Sequence, residues 1–115
     1  MSLYGSKIYQ QKDVAGPLRV TASTTLTGKD LLVLVDSSGG AVALTLPRLH
    51  EWIGCFMSIW KIGSGTNDIT LLVPGNEAHD YAALEAAGIN LNAADDHVIL
   101  YNDGYGITLV ANEIA

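Results

Sequence analysis

Three histidines are the residues of this chain that come closest to a catalytic or metal-binding pattern. Each stands beside a carboxylate, in the pairs His50-Glu51, His79-Asp80 and Asp96-His97. Imidazole and carboxylate groups together bind metal ions or move protons. Neighbouring residues of a strand point to opposite sides, so each pair alone offers one good ligand. We therefore expect the three histidines and their carboxylate neighbours to be solvated loop residues. The alternative is a metal-dependent enzyme that uses His79, Asp96 and His97.

Other chemical patterns are weaker. Cys55 is the single cysteine and lies in an apolar run, so no intrachain disulfide forms and a buried side chain is expected. The glycines at 63 and 65 lack the later glycine and the Lys-Ser/Thr pair of a phosphate-binding loop. The sequence therefore predicts a protein that is not an enzyme and that holds no cofactor and no metal.

The charge balance narrows the class of partner. Six Lys and Arg stand against twelve Asp and Glu, a net charge of −6. A nucleic-acid-binding protein needs a basic stripe, and an anionic membrane repels an acidic chain, so neither partner is expected. Hydrophobic residues make up 49% and charged residues only 16%, against about 25% charged in a typical soluble domain. We expect other chains to cover part of the apolar surface.

Aromatic residues lie in or near predicted strands. Trp52, Phe56 and Trp60 are expected to pack in the core or between subunits, and we assign them to oligomer packing. A sugar-binding platform is the alternative, with Trp52 or Trp60 as its base and with Tyr81 or Tyr105 as further candidates.

The first strands follow from alternation and turn residues. Leu31–Val35 is a continuous apolar run, as in strands buried on both faces. A turn-forming stretch, Asp36–Gly40, precedes Ala41–Leu46, in which large and small residues alternate. Pro47 ends that strand because proline donates no hydrogen bond to a neighbouring strand. The pattern predicts a β-hairpin over residues 31–47.

Two further hairpins are predicted. Cys55–Ile62 and Asp68–Val73 form the second around a Gly- and Ser-rich turn, and residues 97–111 form the third around Asn102-Asp103-Gly104. Short helices are predicted over 48–54 and 77–88, and a small strand over 89–91. The expected fold is all-β, a single sandwich or barrel-like domain of antiparallel hairpins with at most one or two short helices.

The N-terminal part has a different composition. Residues 1–16 are polar and aromatic without a sustained period, which predicts an extended arm before a β domain of residues 17–115. An arm of this kind can add a strand to the sheet edge of a neighbour. Tyr4, Ile8 and Tyr9 are its candidate partner-binding anchors. The start lacks the apolar stretch of a signal peptide, and no apolar run approaches the ~18 residues of a membrane span.

The order of the elements resembles a β module recurrent in tail fibres and other virion proteins of tailed bacteriophages. The resemblance rests on "VDSSGGAVALTLP", Gly54, "FMSIWKIGSGTNDITLLV" and "HVILYNDGYGITLV", and covers roughly residues 29–111. It departs at Tyr105-Gly106, where the family usually carries a Trp, and in a less regular loop before His97. The resemblance implies a structural protein, usually trimeric, with no catalytic residues.

A nearly free-standing module preceded by an arm suggests a capsid decoration, or cement, protein. Such a protein would trimerise, clamp neighbouring subunits of the major capsid protein or another virion protein, and be made in the host cytoplasm. The alternative is a tail-fibre, spike or baseplate component that binds a host surface glycan. A cellular sugar-binding module is a further alternative.

Overall fold

The computed structural model describes residues 17–74 and 89–113, and these residues form eight strands in two sheets. The strands are β1 (Leu18–Val20), β2 (Thr24–Thr25), β3 (Leu32–Asp36), β4 (Val42–Thr45), β5 (Phe56–Ile62), β6 (Ile69–Leu72), β7 (His97–Asn102) and β8 (Ile107–Glu113). Strands account for 46% of the structure with almost no helix, which confirms the all-β class. The predicted arm, and the helix predicted over 77–88, lie outside the described residues.

The first six strands alternate between the two sheets. One sheet has the order β1-β3-β5-β7-β8 and the other the order β2-β4-β6. Each strand from β1 to β4 pairs in parallel with the strand two places later, so that Val33 lies opposite Ile59 and Leu44 opposite Leu71. This is the connectivity of successive coils of a parallel β-helix, in which each turn of the chain is hydrogen-bonded to the next.

Two of the three predicted hairpins are therefore wrong. β3 and β4 lie in different sheets, as do β5 and β6, and neither pair shares a ladder. The short turns at 37–41 and 63–68 carry the chain around a corner from one sheet to the other. Parallel pairing normally needs a long crossover, often a helix. Here the crossover from β3 to β5 is itself a strand, β4, followed by the 3-10 helix Leu49–Glu51 in the predicted 48–54 segment.

The third predicted hairpin is confirmed. β7 and β8 pair antiparallel, and β7 also pairs antiparallel with β5. The Asp103 carboxylate accepts hydrogen bonds from the backbone N–H groups of Tyr105 at 2.8 Å and Gly106 at 2.9 Å, which closes the turn. A register shift opposite Ile99 and Leu100 marks a β-bulge in this pair. The small strand predicted over 89–91 is reduced to a single bridge between Asn90 and Thr70.

The core is a single cluster of buried residues from both sheets and follows the two-residue period of the strands. In β5 the buried side chains are Met57, Ile59 and Lys61, and the alternate ones face outward. Trp52, 1% exposed, closes one part of this core beside the 3-10 helix. The remaining buried hydrophobic residues are Val20, Leu26, Val33, Val35, Val42, Leu44, Leu46, Leu49, Ile69, Ile89, Leu91, Val98, Leu100 and Ile107.

The corners between the sheets stack on one another. The Ser37 hydroxyl donates to the carbonyl of Asn67 at 2.9 Å, and the Asn67 amide returns a bond to the Ser37 carbonyl at 2.8 Å. At the next corner of the stack, the Asn92 side-chain amide donates to the Asp68 carboxylate at 3.3 Å. These bonds join residues about 25–30 positions apart, so they set the register between coils.

Close stacking leaves no room for a side chain at Gly65. A Cβ there would lie 2.6 Å from the Ser38 Cα, whereas one at Gly39 would meet nothing within 4 Å. We expect Gly65→Ala to lower the free energy of unfolding by about 1–3 kcal/mol because the backbones of two corners must separate. Gly39→Ala, the matched control, should change it by no more than about 0.5 kcal/mol. Urea denaturation measures both, and equal effects of the two substitutions would contradict corner stacking.

Candidate interaction surface

The outer face of the five-stranded sheet, here called the outer face, carries the side chains of β3, β5 and β7 that do not enter the core. Leu32 is 39% exposed and Phe56 is 55% exposed, while Trp60, Ile99 and Tyr101 are half-buried by their neighbours on the same face. In β8, Val110 at the bulge is 52% exposed. The face is thus formed largely by apolar and aromatic groups at the surface of the chain.

Two aromatic pairs give the outer face a defined shape. Phe56 lies opposite Tyr101 with ring centroids 4.7 Å apart, and Trp60 lies opposite His97 with stacked rings 3.8 Å apart. The Trp60 indole N–H donates to the Ser58 hydroxyl of the same strand at 2.6 Å, which fixes the indole along β5. Because cross-strand pairs hold these rings, a partner meets a preformed surface with little side-chain entropy left to lose.

β3 leaves an apolar side chain exposed on the outer face. Parallel strands are usually covered on both faces and read as continuous apolar runs. Leu31–Val35 is such a run, yet only Val33 and Val35 are buried, and Leu32 stays 39% exposed. The sequence is therefore more apolar than the burial in one chain requires, and the excess lies on the outer face.

Charged groups lie toward the margin of the outer face. Arg19 belongs to the edge strand β1, and Asp36 ends β3, whereas the central row of Leu32, Ser58 and Ile99 holds no ionisable group. Asp36 acts within its own corner, where its carboxylate accepts hydrogen bonds from the Ser38 hydroxyl and from the Ser38 N–H at 2.9 Å. These bonds, together with the nearby charges of Arg19 and Lys61, lower the pKa of Asp36.

The aromatic candidates separate into two groups. Phe56 and Trp60 lie on the outer face, but Trp52 is buried in the core and presents no surface to a second chain. Tyr105 is 90% exposed at the tip of the β7–β8 turn. Tyr4, Ile8, Tyr9 and Tyr81 lie outside the described residues.

Tyr101 and Val110 belong to the outer face but were missing from the sequence-based candidates. Alternation within His97–Tyr101 places Tyr101 on the same side as His97, so the period could have identified it. Val110 could not be found this way, because the bulge in β8 breaks the alternation there.

The histidine pairs do not converge in the described part of the chain. His50 is exposed on the 3-10 helix, and His97 stacks on Trp60 with Nδ1 3.0 Å from the Asp95 carbonyl oxygen. The buried Asp96 carboxylate instead accepts hydrogen bonds from the N–H groups of Asn92 and Ala93. Within residues 17–74 and 89–113, no three His, Cys, Asp or Glu side chains are placed to hold a metal ion. His79 lies outside these ranges.

Comparison with protein-family models, with curated proteins and with solved structures finds no match to this chain. Among the described residues, no helix has the length and apolar character needed to cross a membrane.

The lowered pKa of Asp36 predicts a pH-dependent stability. A carboxyl whose pKa is lower in the folded chain stabilises it above the unfolded pKa, and this contribution is lost as the pH falls through the folded value. We expect Asp36→Asn to reduce the free energy of unfolding at pH 7 and to make it less dependent on pH in the acid range. Urea denaturation at pH 7 and pH 3 measures this difference.

Ser38→Ala tests what lowers the pKa of Asp36, because the hydrogen bond from the Ser38 hydroxyl makes the largest contribution to lowering it. The double variant should lose less stability at pH 7 than the sum of the two single losses. Additive losses would show that the hydroxyl and the carboxylate act independently.

Proposed function

We propose that this chain is a structural protein of a tailed-phage virion that assembles as a homotrimer, with its two sheets forming a sandwich. Within that class we propose a capsid decoration protein. The observation that carries the proposal is the outer face, where Leu32, Phe56 and Val110 are exposed beside the half-buried Trp60 and Tyr101. The resemblance of the strand and turn order to phage virion modules supports it independently.

The composition of the outer face suits contact between protein chains. The cores of protein interfaces are rich in aromatic residues and poor in charge, and the most important contacts are commonly Trp and Tyr. The rows of Phe56 with Tyr101 and of Trp60 with His97 flank an uncharged centre. Contact between copies around a closed axis would remove this face from water and limit the assembly to a fixed number of chains.

Decoration of a capsid follows from many modest contacts acting together. A trimer that touches several capsid subunits at once gains effective affinity from each additional contact. The net charge of −6 favours a basic surface on the major capsid protein or another virion protein. In this proposal the protein is made in the host cytoplasm and carried on the outside of the virion.

Host recognition is the second candidate, as a tail-fibre, spike or baseplate component. The aromatic rings of Trp60 and Phe56 and the Ser58 hydroxyl would offer a sugar ring stacking and a hydrogen bond. Tyr105, 90% exposed, is a further contact for a glycan. Binding on a glycan array that Trp60→Ala abolishes would favour this candidate.

A charge in the outer face should separate the copies. We expect the unmodified chain to sediment as a trimer of three 12.2 kDa chains, and Phe56→Asp to sediment as a monomer, because a buried unpaired carboxylate is costly. Leu72→Asp is the matched control, since Leu72 is 47% exposed on a strand of the other sheet. Its oligomeric state should be unchanged. An unmodified chain that remains monomeric when concentrated would refute the proposed assembly.

The number of copies per particle separates decoration from host recognition. For a decoration protein we expect on the order of hundreds of copies per virion, spread over the shell, as multivalent bracing requires. Quantitative mass spectrometry of purified particles and immunogold labelling measure number and position. A handful of copies at one vertex would support the tail candidate, and absence from particles would contradict both.

A further inference from the structure

β8 is a long edge strand of the five-stranded sheet, and no described residue covers its outer edge. It has seven residues, Ile107–Glu113, and in the described part of the chain it pairs only with β7. The other edge, β1, has three residues and follows Pro17. Proteins usually shield long edge strands with proline, lysine or a covering segment. Residues 107–112 contain neither proline nor a charged residue.

The backbone groups of β8 that face away from β7 can be identified from the hydrogen bonds of its neighbour. Asn102 accepts from the Gly54 N–H at 2.8 Å and donates to the Cys55 carbonyl at 3.1 Å, so its backbone points toward β5. Directions alternate along an antiparallel strand. Tyr101 and its partner Thr108 therefore bond each other, and Ile107 and Leu109 direct their N–H and C=O groups to the open side.

Charge favours the N-terminal segment as the occupant of this edge. Residues 1–16 contain Lys7, Lys12 and Asp13, a net charge of +1, which leaves −7 for residues 17–115 out of the total of −6. The exposed Asp103 lies beside the start of β8. Lys7 and Lys12 flank Ile8 and Tyr9, two residues with strong β propensity. In an added strand, the side chains of Ile8 and Tyr9 are suited to pack against the exposed Val110.

We propose that residues 1–16 of a second copy add a strand to β8. This inference rests on the proposed self-association and identifies residues 1–16 as the segment through which one copy binds the next. In sequence the segment ends just before β1, the opposite edge, about 19 Å across the sheet from β8 at roughly 4.8 Å per strand. A chain's own arm would have to cross its outer face first, whereas a neighbour placed edge to edge supplies the strand directly. Because the two edges differ, the contact is head-to-tail and closes a ring by rotation.

Disulfide trapping tests the pairing. In a Cys55→Ser background, one tagged chain carries Thr108→Cys, and a second carries a cysteine at one of the positions 7–11 in turn. After the two chains are mixed and mildly oxidised, we expect a covalent heterodimer on a non-reducing gel. Its yield should alternate between successive positions, because side chains of a strand alternate between faces. Thr24→Cys, on an exposed strand of the other sheet, is the matched control and should not cross-link.

The cross-linking results distinguish the two proposals when sedimentation gives the oligomeric state of the same chains. Trimers in which the Thr108→Cys chain gives no cross-link from any of the five positions overturn the strand addition and leave the proposed self-association intact. A closed monomer, formed when one chain carries both cysteines, overturns the second copy as the source of the segment. A chain that stays monomeric and gives no cross-link overturns both proposals.

Discussion

Parallel hydrogen bonding between successive turns of the chain is the constraint on which the rest of this structure depends. No strand from β1 to β6 pairs with its neighbour in sequence, so each of them depends on a strand of an adjacent coil to satisfy its backbone groups. The corners make that arrangement specific. The reciprocal bonds between Ser37 and Asn67, and the contact of Gly65 with Ser38, allow one alignment of the coils.

This constraint also explains the outer face. The side chains of β3 and β5 alternate between the buried core and the outer face. No strand of the described residues packs over the apolar side chains that point outward, and Leu32 and Phe56 stay exposed. Rings that pair across strands, Trp60 with His97 and Phe56 with Tyr101, cover one another in part. The same geometry leaves an open edge at β8, because a stack of strands ends unless it closes or finds another strand.

Prediction from sequence succeeds here where the signal is local. The β7–β8 hairpin was predicted because Asn102-Asp103-Gly104 favours a tight turn and Asp103 binds the N–H groups that follow it. The short turns after β3 and β5 have the same composition as hairpin turns, and nothing in their residues distinguishes a reversal from a corner. The sequence assigns Trp52 to oligomer packing, whereas in the structure Trp52 is 1% exposed and belongs to the core of a single chain.

The sequence by itself determined that this chain is all-β and where most strands begin and end, because these depend on turn residues and on a two-residue period. Only the tertiary structure decided which strands are partners. Backbone hydrogen bonds are alike at every residue, so the choice of partner is made by packing and corner contacts between residues far apart in the chain. The pairing of Val33 with Ile59 and the exposure of Leu32 are both consequences of that choice of partner.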